Sequence, residues 1–193
     1  MACSCDVSER DEQGPWVVVG LGNPGDRYAG NRHNVGAMVV AELADRRGEK
    51  LKAHKSRTSA ATCRFALAPG QPPAAGVLAV PNEFMNLSGG PIKALAQYFH
   101  LSAADIIVIH DELELDFGTI KLRQGGGDHG HNGLRSTTKS LGTKDYQRLS
   151  IGIGRPPGRM DPASFVLKPW AKQEKAEIPI LCADAVEEVL RVG

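Results

Sequence analysis

Apolar residues fall in short runs broken by glycine- and proline-rich stretches, with helical periodicity between several of them. Trp16-Val17-Val18-Val19-Gly20-Leu21 predicts a buried strand, and Asp105-Ile106-Ile107-Val108-Ile109 a second one buried on both faces, as in the interior of a largely parallel sheet. Ala60 to Ala68 and Gly76 to Pro81 read as two strands joined through Pro69-Gly70-Gln71-Pro72-Pro73, while Thr119 to Arg123 and Tyr146 to Ile153 complete the set. Helices are expected from about Val35 to Arg47 before Gly48, from Pro91 to His100, from Leu134 to Leu141, briefly after Asp161-Pro162, and from Lys172 to Arg191 with Pro179 as an irregularity. Lys50 to Ser59 is basic and carries no clear pattern. Met1 to Pro15 is polar, acidic and aperiodic, and reads as a disordered leader before a domain spanning 16–193. Strands alternating with helices make this one α/β sandwich around a mixed sheet.

At 193 residues and 41% hydrophobic content, the chain is sized for one substantial core. The net charge of +1 hides an uneven distribution. Residues 119–159 hold Lys121, Arg123, Arg135, Lys139, Lys144, Arg148, Arg155 and Arg159 against Asp128 and Asp145. Such a run is either a solvated face or a patch whose local field suits a phosphate-bearing partner. Cys3, Cys5, Cys63 and Cys182 lack both metal-site spacing and the density of a disulfide scaffold, so free thiols and a cytoplasmic location are expected. No apolar stretch approaches a membrane span.

Gly20-Leu21-Gly22-Asn23-Pro24-Gly25 matches a dinucleotide fingerprint, but Pro24 supplies no N–H, the following helix is delayed by Asp26 to Asn34, and no acidic residue stands at the next strand end. No nucleotide cofactor is expected. Strand-end loops instead present Asn23 and His33, Asn86, Asp111, and His131 with Asn132. A histidine backed by a carboxylate is a general base able to take a proton from water, and neutral amides can hold a carbonyl and its developing oxyanion without burying charge. Neither a G-x-S-x-G serine nor a cysteine occupies these loops, so water is the expected nucleophile. His110, Asp111, Glu112, His129 and His131 fit no metal-ligand spacing, and no metal is expected. Gly125-Gly126-Gly127 could turn backbone N–H groups toward a phosphate, or could simply require positive φ.

Five motifs in order carry a resemblance. They are Val19-Gly20-Leu21-Gly22-Asn23-Pro24-Gly25 with Tyr28 and Arg32-His33-Asn34-Val35-Gly36; Phe84-Met85-Asn86-Leu87-Ser88-Gly89; His110-Asp111-Glu112-Leu113; Gly125-Gly126-Gly127 through His131-Asn132-Gly133-Leu134-Arg135; and Ile151-Gly152-Ile153-Gly154-Arg155-Pro156. From Trp16 almost to its end the chain resembles bacterial-type peptidyl-tRNA hydrolase. The resemblance implies a monomeric α/β/α esterase, a three-layer sandwich around a mixed, largely parallel twisted sheet, that cleaves the ester between a peptide and the 3′-terminal ribose of tRNA. It implies His33 as the base that activates water, Asp111 as its partner, Asn23 at the peptide end, and Asn86 and Asn132 positioning substrate and water. Tyr28, Phe84 and Met85 would line the groove, with His131 beside the substrate and Lys121, Arg123 and Arg148 on tRNA phosphate. The segment from Arg155 to the last helix would cover the groove. Departures from the family pattern are Ser150, where a basic residue is usual, His129 for a small residue, Glu83 for threonine, and a short final helix. A non-catalytic RNA-binding relative, like the chloroplast splicing factors of this fold, is the alternative.

Overall fold

The computed structural model describes residues 16–65 and 74–191, so the expected leader, the Pro69–Pro73 connection and the last two residues lie outside the described part. Seven strands form one sheet: β1 (Trp16–Gly20), β2 (Lys52–His54), β3 (Thr58–Phe65), β4 (Ala74–Pro81), β5 (Ile106–Glu112), β6 (Ile120–Gln124) and β7 (Gln147–Gly152). Their spatial order is β2-β3-β4-β1-β5-β7-β6. The central strands β4, β1, β5 and β7 are mutually parallel, and the antiparallel pairs β2–β3, β3–β4 and β6–β7 lie toward the edges.

The period-2 alternation within each apolar run explains the layers. Val18, Leu78, Ile107, Ile109, Leu149 and Ile151 face α2 (Val35–Arg46) and α6 (Lys172–Leu190). Val17, Val19, Val77, Ala79, Ile106 and Val108 face α3 (Gly89–Tyr98) and α4 (Asn132–Leu141). Every residue of β5 is buried, as a strand with parallel neighbours on both sides and helices on both faces must be. The expected three-layer α/β/α sandwich is therefore found.

Boundaries differ locally. The uncharacterised basic stretch contains the edge strand β2, and β3 begins at Thr58, earlier than expected. Only pairing across the edge reveals these short segments, because their apolar content is too low to announce them. The stretch delaying the helix after β1 holds one turn, α1 (Asp26–Ala29), and a 3₁₀ turn at Arg32–Asn34. α3 and α4 each start two residues early, at glycine-containing first turns. Asp161 caps α5 (Pro162–Val166) by accepting the Ser164 N–H at 3.0 Å, and Pro179 lies within α6 without ending it.

The topology fixes where a site can form. The chain leaves β1 through α2 on one face and later leaves β4 through α3 on the other, crossing β1 to reach β5. The reversal opens a crevice at the carboxyl ends of β1, β4 and β5. All the expected amides and the His33–Asp111 pair lie around it.

Candidate active site

Close backbone approach builds the first wall. A Cβ on Gly20 would overlap the Gly36 carbonyl oxygen, and one on Gly36 would overlap the Ile109 carbonyl oxygen, so only glycine lets the first turn of α2 sit against β1 and β5. Leu21 N–H donates to Ile109 O at 3.0 Å and Ala37 N–H to Leu21 O at 3.1 Å, closing the loop onto the sheet. Inside it, Asn34 brackets Asn23: its Oδ1 accepts the Asn23 N–H and its Nδ2 donates to the Asn23 carbonyl, both at 2.9 Å. The Asn23 side-chain oxygen accepts the Met85 N–H at 2.8 Å. With its oxygen thus occupied, Asn23 has its NH₂ donors left for the crevice it lines.

Asp111 lies within β5 at 3% exposure, and its Oδ1 accepts from two imidazoles at once. His33 Nδ1 is at 2.8 Å and His131 Nε2 at 2.9 Å. His131 Nδ1 in turn accepts the N–H groups of Gly133 and Leu134 at 3.1 and 3.3 Å as the N-cap of α4. That fixes the neutral Nε2–H tautomer of His131, with both ring nitrogens engaged inside the protein. His131 therefore positions Asp111 and starts α4, and it lines the crevice with both ring nitrogens already engaged. Donation from His33 Nδ1 to Asp111 leaves His33 Nε2 as the free base. Burial alone would raise the Asp111 carboxyl, but the imidazoles, His131 first and His33 next, hold it well below the usual carboxylate range. His33, Asp111 and His131 are also the one group among the described residues whose donor atoms converge, within 4.8 Å, closely enough for a metal ion. Here the same atoms are hydrogen-bonded to each other, and His110, Glu112 and His129 turn to other partners.

His110, the residue before Asp111 on β5, alternates to the α3/α4 side. Its Nδ1 donates to the Asp111 carbonyl at 2.7 Å and its Nε2 accepts from Ser150 Oγ at 3.0 Å. Ser150 thus supports a buried imidazole. Burial pushes His110 down to about 4. Because the folded value lies below the unfolded one of about 6.5, the unfolded chain binds the extra proton between them. Stability is full above pH 6.5 and falls as the pH drops toward 4, by on the order of 3 kcal/mol from this group. In urea titrations across that window the His110→Asn variant is expected to lack this slope, and an unchanged slope would contradict the assignment.

The crevice has a volume of about 860 Å³ and is lined by Asn23, His33, Asp111, Asn86, Asn132, Tyr28 and Phe84. Asn86 and Asn132 stand exposed on its rim. The Tyr28 and Phe84 rings meet edge to face at 6.2 Å, and Phe84 is 52% exposed. Met85 is buried beneath Gly133, so only the floor of the groove is methionine. Beyond a wall made of Glu112, Glu114 and His129, a second cavity of about 280 Å³ is lined by Lys121, Arg123, Gly125–Gly127 and Arg148. His129 Nδ1 meets Glu112 Oε2 at 2.9 Å, giving the departure at His129 a partner in that wall. Lys121 and Arg123 are exposed on β6. Arg148 is instead buried at 4% exposure, donating to Gly127 O at 2.6 Å with its guanidinium over the Tyr146 ring. The expected phosphate grip thus has two surface cations and one deep in the cavity.

Three supporting residues went unrecognised in the sequence. Besides Asn34, Arg32 is buried beside His33: Nη2 meets Glu174 Oε2 at 2.6 Å, Nη1 donates to Pro169 O at 2.9 Å, and the guanidinium lies over Phe165 at 4.3 Å. Glu174 also accepts the Ala171 N–H at 2.7 Å and so begins α6. Arg32 thereby ties the His33 loop to the segment covering the crevice, whose Asp161, Val166 and Leu167 form its far wall.

A family model described as peptidyl-tRNA hydrolase matches residues 17–192. Peptidyl-tRNA hydrolase 1 of Corynebacterium glutamicum is 60% identical over 175 residues, covering 91% of this chain and 94% of the relative. The peptidyl-tRNA hydrolase of Frankia alni is 52% identical, covering 94% and 91%. Among solved structures, a single-residue variant of the peptidyl-tRNA hydrolase from Acinetobacter baumannii superposes with a TM-score of 0.82 at 32% identity, covering 91% of this chain and 87% of that one. Identity at this level along nearly the whole chain, on the same fold, means that the chain belongs to the peptidyl-tRNA hydrolase family.

Proposed function

We propose that this chain hydrolyses the ester between a peptide and the 3′-terminal ribose of tRNA, as a cytoplasmic monomer. The observation that carries the reading is the His33–Asp111 pair, 2.8 Å apart in a crevice ringed by three neutral amides. His33 Nε2 takes a proton from water as the water oxygen attacks the ester carbonyl. Asp111 stabilises the imidazolium that results, and its own proton affinity is too low for it to accept the proton. The Asn23 NH₂, with Asn86 and Asn132 on the rim, supplies donors to the carbonyl oxygen as it gains charge. The tetrahedral intermediate collapses by breaking the carbonyl–ribose bond, and the proton passes from His33 to the departing ribose oxygen. Peptide acid and tRNA with a free ribose hydroxyl leave.

Tyr28 and Phe84 offer aromatic surface for the terminal base or the peptide, and Lys121 and Arg123, with Arg148 beneath, face the phosphates. Among the described residues no helix is long and apolar enough to cross a membrane. A non-catalytic RNA-binding role is not favoured, because it gives no reason for a free imidazole nitrogen held by a buried carboxylate. The test is release of tRNA from N-acetyl-aminoacyl-tRNA, with the unblocked ester as control. Cleavage of the blocked ester alone is expected, and tight tRNA binding without cleavage would overturn the reading.

A further inference from the structure

The reaction leaves unused the basic stretch at the other edge of the sheet. Residues 50–59 hold Lys50, Lys52, Lys55 and Arg57 and no carboxylate. Arg57 pairs with Glu83 at 3.2 Å, whereas Lys50, Lys52 and Lys55 have no carboxylate within 4.0 Å among the described residues. β2 places Lys52 and His54 on the face shared with α3, in register with Ala60 and Thr58 of β3. There a groove of about 490 Å³ is lined by Lys50, Lys52, His54, Thr62 and Phe99, with Glu49 as its one acidic side chain.

Aromatic rings continue the groove. The His54 ring lies 4.7 Å from Tyr98 and stacks at 6.0 Å on Phe99, and its orientation is held by the Ser56 N–H donating to Nδ1 at 3.2 Å. Lys55 Nζ stands 4.2 Å above the Tyr98 ring, and Tyr98 is 46% exposed. Unpaired cations beside a half-exposed ring are what a single strand of nucleic acid needs, with phosphates on the ammonium groups and a base on the ring. Across seven strands the two basic edges lie roughly 29 Å apart, at about 4.8 Å per strand, so one cluster of phosphates does not span both.

We propose that the β2–α3 edge is a second RNA-binding surface, which takes a single-stranded segment through Lys50, Lys52 and Lys55 and stacks a base on Tyr98. This goes beyond the hydrolase reading and does not rest on it. The probe is fluorescein-labelled oligo(A) on the order of 12 nucleotides long, within the span of such sites. It is titrated against the full chain carrying Lys121→Glu and Arg123→Glu, so that the β6 edge does not compete. Adding Lys52→Glu and Lys55→Glu is expected to weaken binding at least about tenfold and to flatten the plot of log affinity against log salt by about 1.4, two phosphate contacts' worth. Tyr98→Leu is expected to cost about tenfold with the salt slope kept. Lys172→Glu with Lys175→Glu, an equal charge change on α6, is expected to have a much smaller effect, and thermal unfolding checks that each variant is folded. Unchanged affinity and slope after the β2 reversals would overturn the proposal. So would displacement of the RNA by poly-glutamate together with indifference to Tyr98→Leu, which would mark a surface for an acidic protein.

Discussion

His33→Ala is expected to lower kcat about 10³-fold while KM for peptidyl-tRNA changes little. Two imidazoles on the crevice meet a carboxylate through Nδ1 and keep Nε2 free, but His33 is buried on Asp111 among the amides whereas His129 is half exposed on Glu112 in the wall, and His131 spends both nitrogens on Asp111 and the start of α4. The cations proposed to meet tRNA phosphate, Lys121, Arg123 and Arg148, lie across the Glu112–His129 wall and are untouched by the change. The structure contains its own control for folding. Asp111 keeps the His131 hydrogen bond when His33 is gone, so its carboxylate is not stranded and the variant should unfold near the parent's midpoint. Single-turnover hydrolysis and tRNA binding, measured side by side, separate the two effects. Near-normal turnover would remove His33 from the chemistry, and a collapse in binding with kcat preserved would make it a substrate contact.

Much of this geometry was legible because it depends on short-range pattern. β5 is apolar at every position before His110, which requires burial on both faces and so places Asp111 at a strand end. The glycines at 20 and 36 flank the loop that carries His33, and the close approach they permit is the reason the loop can reach Asp111. What escaped reading depends on distance along the chain or on depth. Arg148 and Met85 do line the two cavities, but from their depth, each at 4% exposure, one donating to Gly127 and the other packed against Gly133. Exposure is a property of the assembled layers and has no local signature. The two-sided use of the Asp111 oxygen joins residues 78 and 20 positions away. Asn34 is the exception: a second amide directly after His33, eleven residues from Asn23, was a visible signal for a bracket within the loop.

Arg32 shows how the same loop is held from outside, and its removal has the largest expected effect on stability. Arg32→Met keeps a long apolar side chain against Phe165 and Trp170 but removes the cation from between them. Glu174 then loses its partner while still committed to the first turn of α6, and the Pro169 carbonyl loses its donor. Breaking one side of a buried pair costs about 3 kcal/mol, at the low end of the usual range because Glu174 keeps some contact with water. Arg32→Lys is expected to recover only part of this, since a single ammonium cannot serve carboxylate and carbonyl in the planar arrangement of the guanidinium. Glu174→Gln should cost less, its amide oxygen still being able to accept the Ala171 N–H. Urea unfolding of the three variants tests the ordering. A loss for Arg32→Met under about 0.5 kcal/mol, the size of an ordinary surface change, would mean that the clamp contributes nothing to the fold. Alongside the expected loss, KM for peptidyl-tRNA should rise more than kcat falls, because the covering wall is loosened while the His33–Asp111 bond remains.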